Sequence, residues 1–351
     1  MKDNLISQTA TLLDALGRLN RLPGGSMTLF ATDDDGRLTG AITDGDIRRA
    51  LLDGRSLQSP VSDAMHRAFK AIRPDGDSDD VALLRECRER GLRLVPRLDA
   101  DGRPIEIIDL NITHTRLPLS AILMAGGKGE RLRPLTLNCP KPLLKIDGKA
   151  IIDYNVEALA RCGISDITVT TRYLAEQLDE HFTQPVGGVD VRCVREDSPL
   201  GTIGAVTLVD VPAHGDTIIM NSDLLTTISF EEMYLRHVDR RADITIAVVP
   251  YQVTVPYAIL TLDGDDVTGI EEKPSYSHYA NAGIYIFSNR VLRTIEPGRR
   301  TDAPDVVADT IATGGRVAYY PIKGTWIDVG SPTDFRQAAE LMRHHRNFSN
   351  K

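Results

Sequence analysis

The stretch AILMAGGKGERLRPLT, residues 121–136, decides the fold of the larger part of this 351-residue chain. Its first five residues are apolar and predict a buried strand, and the glycines that follow predict a tight turn where that strand ends. The N–H groups of such a turn can face an anion, for which Arg131 and Lys141 would supply positive charge. Arginine can fork across two phosphate oxygens, whereas lysine acts as a point charge. The pattern predicts a nucleoside triphosphate site, and the glycines concerned are Gly126, Gly127 and Gly129.

Two other kinds of glycine-rich phosphate site do not fit the spacing. A Walker loop needs Gly, four residues and then Gly-Lys-Ser/Thr, a run that the sequence lacks. A dinucleotide fingerprint that starts at Gly127 would need a third glycine where Leu132 stands. A ligand-free turn between strand and helix is the plainer interpretation, but such a turn would not require Arg131, Arg133 and Lys141 beside it.

Composition excludes several broad classes of function. The formal net charge of −8 argues against general binding to nucleic acid or to a membrane surface, because the basic residues near 128–145 cluster on the scale of one triphosphate. The longest wholly apolar run, residues 121–125, is too short to span a membrane. The cysteines have no close pairing, so they predict reduced thiols in a cytoplasmic protein. They are Cys87, Cys139, Cys162 and Cys193.

Strand candidates alternate with helical stretches beyond a linker at 113–118, and this order predicts an α/β domain over residues 119–347. We expect a Rossmann-like, mostly parallel sheet with helices on both faces and with ligands at the carboxyl ends of the strands. The candidate strands are 119–125, 166–170, 190–194, 216–221, 243–249 and 283–287.

Residues 126–136, followed by Pro140-Lys141-Pro142, resemble the signature of the sugar-1-phosphate nucleotidylyltransferases, Gly-Gly-x-Gly-x-Arg-Leu-x-Pro-Leu-Thr and then Pro-Lys-Pro. The resemblance continues to about residue 345. It implies an enzyme that joins a sugar 1-phosphate to a nucleoside triphosphate and releases pyrophosphate, with Mg²⁺ as cofactor.

Two aspartates are candidates for the metal ligands. The apolar residues 217–220 run into Asn221-Ser222-Asp223, which places Asp223 at the end of a strand, where Mg²⁺ would need a hard oxygen ligand. The resemblance implies that Asp223 and Asp328 hold the metal, although the family often has Gly-Asp where this chain has Ser222-Asp223. Each aspartate taken alone could instead cap a turn.

Each of three further motifs is weak evidence for the resemblance on its own, but their order along the chain is specific. Glu196 with residues 199–204 resembles the segment that faces base, ribose and sugar. Glu272-Lys273-Pro274 resembles the motif that meets the sugar hydroxyls and the sugar phosphate, and Asn281-Ala282-Gly283 resembles the segment that closes on the sugar ring. The resemblance thus assigns triphosphate binding also to Leu200, Gly201 and Thr202, and sugar-phosphate binding to Glu196, Gly201, Glu272, Lys273 and Asn281.

The implied chemistry needs no covalent enzyme intermediate. The sugar phosphate is already anionic and attacks the α-phosphorus in line, so catalysis depends on positioning, on magnesium and on cations. Arg131 would stabilise the leaving pyrophosphate, and Lys141 and Lys273 would neutralise the reacting phosphates. With Asp223, these are the expected catalytic residues.

Residues 1–115 contain a weak repeat of a helix followed by two strands, and the two copies should pack together. Residues 40–48, GAITDGDIR, resemble the ligand signature of CBS domains, which occur as pairs and commonly bind adenine nucleotides. Thr43 and Asp46 would then meet phosphate and ribose at a helix N-terminus. Equally, Thr43 and Asp46 could form only a capping box. The second copy lacks the signature at 107–110, so the pair would hold at most one regulatory nucleotide.

The resemblance favours guanylyl transfer from GTP to a mannose- or glucosamine-like 1-phosphate, on the basis of residues 128–131 and 200–204. Thymidylyl- or uridylyltransferases of glucose-like 1-phosphates share nearly every motif. A nucleotide-sensing regulatory protein with a non-catalytic transferase domain is the alternative from another class, although such a protein would not need both metal carboxylates. We expect a homo-oligomer in which the N-terminal pair is a regulatory or oligomerising module.

Overall fold

The computed structural model describes residues 2–23, 27–74 and 79–349. Contacts between Cα atoms divide the chain into two compact units. The N-terminal unit is Met1–Arg116 with Arg161–Gly163, and the C-terminal unit is Leu117–Ala160 with Ile164–Lys351. Within the described residues, no helix is long and apolar enough to cross a membrane.

The N-terminal unit consists of two similar halves. In the first half, β1 pairs with β2 in parallel and β2 pairs with β3 antiparallel. In the second half, Ile72 makes an isolated parallel bridge to Arg97 in β4, and β4 pairs antiparallel with β5. The same arrangement therefore occurs twice, in agreement with the sequence repeat. The elements are β1 (Leu5–Ser7), α1 (Leu12–Leu19), β2 (Thr28–Thr32), β3 (Leu38–Thr43), α2 (Asp44–Leu52), α3 (Asp79–Glu89), β4 (Leu94–Leu98) and β5 (Pro104–Asp109).

The two halves of this unit share part of their core. Phe30 and Leu38 from the first half and Leu98 from the second half form one buried cluster. A backbone hydrogen bond from the N–H of Leu38 to the carbonyl of Gly102 also joins the two hairpins, at 2.9 Å. The expected packing of the two copies on each other is thus confirmed, because neither half buries these side chains alone.

The C-terminal unit is built on a seven-stranded sheet with the order β10-β9-β6-β11-β16-β13-β17. Its strands are β6 (Leu119–Ala125), β7 (Lys145–Ile146), β8 (Lys149–Ala150), β9 (Ile167–Thr171), β10 (Val191–Arg195), β11 (Asp216–Asn221), β12 (Leu224–Thr226), β13 (Ile244–Thr254), β14 (Ile259–Asp263), β15 (Asp266–Glu271), β16 (Ser275–Ser288), β17 (Val317–Pro321) and β18 (Trp326–Asp328). Its helices are α4 (Ile151–Arg161), α5 (Ala175–His181), α6 (Phe230–Asp239), α7 (Asn289–Leu292), α8 (Ala303–Ala312) and α9 (Pro332–Ser349).

Pairing in the large sheet is mostly parallel, as the alternating pattern predicts. β10, β9, β6 and β11 run in parallel, and β13 and β17 also pair in parallel. Only β16 is antiparallel to its neighbours β11 and β13. The central strands are near-continuous apolar runs because both faces of the sheet are covered.

β13 and β16 extend beyond this sheet. Within the described chain, residues 249–254 pair only with residues 275–280, and the hairpin of β14 and β15 follows at their far end. We call residues 249–280 the arm. Most of its side chains are exposed. The sequence pattern did not predict it, since the candidate strand 243–249 was expected to end at residue 249 and the next candidate strand to begin at residue 283.

Candidate active site

A cleft of about 590 Å³ lies at the carboxyl ends of β6, β9, β10 and β11. Ligands are expected at this edge of a parallel sheet. Most of the predicted site residues line this cleft together. They are Gly126, Gly127, Gly129, Arg131, Lys141, Glu196, Leu200, Gly201, Thr202 and Asp223. A second cavity of about 680 Å³, between α7 and α8, contains none of the predicted residues.

Two other residues of the stretch 126–136 hold the glycine turn after β6 in place. The hydroxyl of Thr136 donates to the carbonyl of Gly129 at 2.7 Å. Leu132 is 1% exposed and packs in one cluster with Ile327 and Val329. Leu132 stands where a dinucleotide fingerprint would have its third glycine. It therefore anchors the turn to β18, the strand that carries Asp328.

Lys141 stands between the two predicted metal ligands. Its Nζ forms an ion pair with Oδ2 of Asp223 and lies 3.4 Å from Oδ1 of Asp328. The carboxylates meet because β12 and β18 pair antiparallel, with Leu224 opposite Asp328. The side chain of Lys141 is only 11% exposed. This arrangement brings one cation and two acids to the same end of the cleft, although residues 141, 223 and 328 are far apart in sequence.

The donor set at these carboxylates fits a hard divalent cation. Within the described residues, Oδ1 of Asp223 is buried without a hydrogen-bond partner, so it is available to a further ligand. No group of three or more His, Cys, Asp and Glu side chains in the described chain is placed to hold a metal. Two carboxylates suit Mg²⁺, which usually takes its other oxygens from substrate phosphates and water.

Ser222, where the family often has glycine, is accommodated by hydrogen bonding. Its hydroxyl donates to the carbonyl of Met124 at 2.7 Å, which ties the end of β11 to the end of β6. Asn155 from α4 donates to the carbonyl of Leu224 at 3.0 Å. Both contacts fix the backbone on either side of Asp223, so the added side chain supports the position of that carboxylate.

Glu196 is buried at the other end of the cleft. Its backbone continues the pairing of β10 with β9, and it is 6% exposed. Burial raises the pKa of its carboxyl, and the positive charge of Arg172 opposes this shift. A Cβ at Gly126 would lie 2.6 Å from Oε1 of Glu196. A side chain at 126 would therefore displace the Glu196 carboxylate from this position.

The loop 199–204 is held in place by the segment just before α8. The N–H of Thr202 donates to Oδ1 of Asp302 at 2.8 Å, and the N–H of Ala303 donates to the hydroxyl of Thr202 at 2.9 Å. Gly201 has a φ of +85°, and a Cβ there would lie 2.3 Å from the carbonyl oxygen of Thr301. The predicted nucleotide-facing loop is therefore positioned by a distant part of the chain.

Three predicted sugar-phosphate residues lie outside the cleft. Glu272 and Lys273 are exposed on the arm, where Lys273 has a φ of +46°. Asn281 donates to the hydroxyl of Tyr285 at 2.6 Å on the β16 side of β11. Two residues on from it, Gly283 packs against Asn221, which lines the cleft. The structure thus places Asn281 beside the cleft and leaves Glu272 and Lys273 on a projecting element.

Arg172 and Arg300 also line the cleft and were missed by the sequence analysis. Arg172 directly follows β9, so the rule that ligands bind after parallel strands would have found it once β9 was assigned. Arg300 carries no such local signal, because it approaches the cleft from the segment before α8.

In the N-terminal unit, Thr43 and Asp46 form a capping box, which is one of the two interpretations that the sequence allowed for this pair. The hydroxyl of Thr43 donates to Oδ2 of Asp46 at 2.6 Å, and the N–H of Thr43 donates to the same oxygen at 2.8 Å. Arg49 pairs with the other carboxylate oxygen at 2.5 Å. Both side chains therefore cap α2 in this structure, and their role toward a nucleotide stays a prediction.

Comparison with known proteins agrees with this geometry. The family model described as nucleotidyl transferase matches residues 120–345, and the CBS domain model matches residues 4–53. The chain is 31% identical over 226 residues to the mannose-1-phosphate guanylyltransferase catalytic subunit beta of Danio rerio. It is 33% identical over 227 residues to a mannose-1-phosphate guanyltransferase of Schizosaccharomyces pombe. Each match covers 62% of this chain and 62% of the relative's length.

A solved structure with the same fold is HddC from Yersinia pseudotuberculosis complexed with GMP-PN. The TM-score is 0.51 at 24% identity, and the match covers 64% of this chain and 99% of HddC. Taken with the family model, which spans the sheet and every residue of the cleft, these findings establish that the chain belongs to the nucleotidyl transferase family and carries a CBS domain at its N-terminus.

Proposed function

We propose that this protein transfers guanylyl from GTP to a mannose- or glucosamine-like hexose 1-phosphate, forming a GDP-sugar and pyrophosphate. The observation that carries the proposal is the contact of Lys141 with both Asp223 and Asp328 beside the glycine turn. A protein that only bound nucleotides would not need this charged group around the reacting phosphates. The guanylyltransferases among the relatives support the choice of base and sugar.

The residues act by positioning and by charge. N–H groups of the turn at Gly126–Gly129 and the guanidinium of Arg131 would hold the β- and γ-phosphates and stabilise the pyrophosphate as it leaves. Lys141 would neutralise the α-phosphate as the sugar phosphate oxygen attacks it in line. Lys273 and Glu272 would reach the sugar phosphate and hydroxyls from the arm, with Asn281 on the same side.

Mg²⁺ is the proposed cofactor, and Asp223 and Asp328 would hold it. When bound, it would supply positive charge that stabilises the reacting phosphates. Lys141, which contacts both carboxylates, would add positive charge beside them.

The domain assignment that we propose is a catalytic domain over residues 119–347 and a CBS pair over residues 1–115. The CBS model at 4–53 and the repeated architecture of the N-terminal unit support the pair. An adenine nucleotide near Thr43 and Asp46 is the proposed regulatory ligand. Cytoplasmic location and a homo-oligomeric state remain predictions from sequence.

A pyrophosphate-release screen tests the proposal. GTP, UTP, dTTP and ATP are each combined with the 1-phosphates of mannose, glucosamine and glucose, in the presence of Mg²⁺. The proposal expects the highest kcat/KM for GTP with mannose or glucosamine 1-phosphate. Preference for UTP or dTTP with glucose 1-phosphate would support the alternative transferases, and no turnover with any pair would support a sensor.

A further inference from the structure

Three strands of the sheet end side by side at one end of the cleft. Ala125 at the end of β6 is the register partner of Thr171 in β9, and Thr171 is the register partner of Arg195 in β10. The next residues in the chain are Gly126, Arg172 and Glu196. These three therefore form a row across the sheet edge, and all three line the cleft.

The order of the strands tells which part of a nucleotide this row would meet. The phosphate-binding turn follows β6, and Asp223 follows β11, on the other side of β6 from β9 and β10. Since neighbouring strands lie about 4.8 Å apart, Arg172 is displaced by roughly 10 Å from the Asp223 end, and Glu196 by roughly 14 Å. Arg172 and Glu196 therefore lie on the side of the cleft away from the expected position of the phosphates. β16, which carries Asn281, lies on the opposite side of β11, so the sugar phosphate would approach from there.

Arg172 has donor capacity that the protein does not use. Within the described chain, its Nε is buried and has no hydrogen-bond partner. A buried, unpaired donor is costly, and an acceptor on a ligand in the cleft would satisfy it. Beside it, Glu196 is a buried carboxylate, and the N–H of Leu200 approaches its Oε2 at 3.4 Å.

The two side chains together match one nucleobase best. Guanine presents an acceptor at O6, a second acceptor at N7 and donors at N1 and N2, and arginine is the side chain that most often pairs with O6 and N7. A carboxylate accepts from the N1 and N2 donors. Adenine, uracil and cytosine have no two adjacent donors on their Watson–Crick edge, so in each of them an acceptor would face one of the carboxylate oxygens.

Resting on the proposed transferase function, we propose that Arg172 is the residue that selects guanine, by donating to O6 of the base beside Glu196. It acts on substrate choice and leaves the reacting phosphates to Arg131 and Lys141. Arg172 lies outside all the signature motifs of the sequence.

The test compares GTP with 2,6-diaminopurine riboside triphosphate, which has an amino group in place of O6, and with ITP, which keeps O6. Arg172→Met removes the guanidinium and keeps an unbranched stem, and Arg300→Met is the matched control, because Arg300 lines the same cleft. In the wild type and in Arg300→Met, kcat/KM for GTP should exceed that for the diaminopurine analogue by about 10- to 100-fold. Arg172→Met should lower this ratio by about 10-fold, and GTP and ITP should lose activity in parallel. Part of the ratio should remain, because N1 of the analogue carries no hydrogen and still opposes Glu196.

An unchanged ratio in Arg172→Met, with all triphosphates weakened equally, would mean that Arg172 contacts phosphate, and it would overturn the proposal. Equilibrium binding of the same triphosphates is measured alongside, by calorimetry without sugar phosphate. If the wild type transfers no nucleotide to any sugar phosphate, the proposed function fails, whereas the binding ratio still decides the role of Arg172. Should Arg172→Met not fold, Arg172→Lys replaces it, and an intermediate ratio is then expected because one ammonium makes a single bond to O6.

Discussion

Lys141 and Asp223 form an ion pair at the floor of the cleft, and both side chains are largely buried, at 11% and 21% exposure. Asp223 therefore holds the ammonium group of Lys141 in place in the absence of substrate. The pair links the glycine turn to the end of β11, and so aligns the phosphate site with the proposed metal site before any ligand binds.

Asp223→Asn and Asp328→Asn should each lower kcat by at least ~100-fold, equivalent to about 2.7 kcal/mol of barrier, because each weakens magnesium placement at the phosphates. The measurement is turnover as a function of Mg²⁺ concentration, with circular dichroism to show that the fold is kept. Asp197→Asn, an exposed acid that does not line the cleft, is the control. Near wild-type turnover of either variant at saturating Mg²⁺ would remove that residue from the metal site.

Arg131→Lys should be severely impaired although the charge is kept, because one ammonium cannot reproduce two parallel N–H bonds to phosphate. The exposed Arg133, two residues further on, gives the matched control Arg133→Lys, which should retain activity. Steady-state kinetics of pyrophosphate release measure both. Equal activity of the two variants would show that Arg131 supplies only a diffuse positive field.

Asp302→Ala should raise KM for the nucleoside triphosphate more than it lowers kcat, because it releases the N–H of Thr202 and loosens the loop 199–204. Asp305→Ala, on the first turn of the same helix α8, is the control for a general effect on that helix. Initial rates over a range of GTP concentrations separate the two parameters. A change in kcat alone would argue that the Thr202–Asp302 contact does not act through substrate binding.

A nucleotide at the N-terminal unit should stabilise the protein by about 2.7 kcal/mol at a hundredfold excess over its Kd. Thr43→Val with Asp46→Ala should abolish the thermal shift produced by AMP, ADP or ATP. Because these residues cap α2, loss of the cap alone costs about 1 kcal/mol. Thr11 and Asp14 form the same capping box on α1, so Thr11→Val with Asp14→Ala is the control that loses a cap and should keep the shift.

Coupling between the two units is a separate question. If the nucleotide regulates the transferase, it should change KM in the wild type and in the Thr11/Asp14 control, and leave the Thr43/Asp46 variant unaffected. Truncation before Ser120 should leave an active, unregulated enzyme. Loss of all activity on truncation, together with no thermal shift by any nucleotide, would mean that the unit is structural or dimerising.

Stability should depend on pH through Glu196, whose pKa is raised by burial. A carboxyl with a higher pKa in the folded than in the unfolded state binds more protons when folded, so its contribution to stability is present at low pH and is lost as pH rises through the folded pKa. Glu196→Gln has no titrating carboxyl at this position, so its stability does not fall for this reason as pH rises. The difference in unfolding free energy between Glu196→Gln and wild type should therefore grow between about pH 4 and neutrality, measured by urea denaturation. A constant difference would contradict the raised pKa.

Much of the parallel half of the sheet was predictable from sequence, because β6, β9 and β11 are largely buried and are bounded by turn residues. Residues 119–125 and 216–221 match β6 and β11 at both ends. The arm was not predictable in the same way. Its strands have no buried face, so the alternation of apolar and polar residues that marks a strand is weak there.

The candidate site also contains residues that local sequence patterns reveal and residues that they do not. The glycine turn, Lys141 and Asp223 could be found because each belongs to a local motif next to a strand. The contact between Thr202 and Asp302 joins residues 100 positions apart and has no local pattern. Arg172 lies in no motif, so it becomes a candidate only once β9 is assigned, and its position beside Glu196 follows from the register of β9 and β10.

Whether this cleft transfers a guanylyl group to a hexose 1-phosphate, as we propose, can be determined from the reaction products. Enzyme, Mg²⁺, GTP and mannose or glucosamine 1-phosphate are incubated together, and the GDP-sugar is quantified by mass spectrometry alongside pyrophosphate. We expect equal amounts of GDP-sugar and pyrophosphate from the wild type, and at least ~100-fold less of both from Asp223→Asn in the same time. Consumption of GTP to GDP and phosphate without any GDP-sugar, or no consumption with either sugar, would contradict the claim.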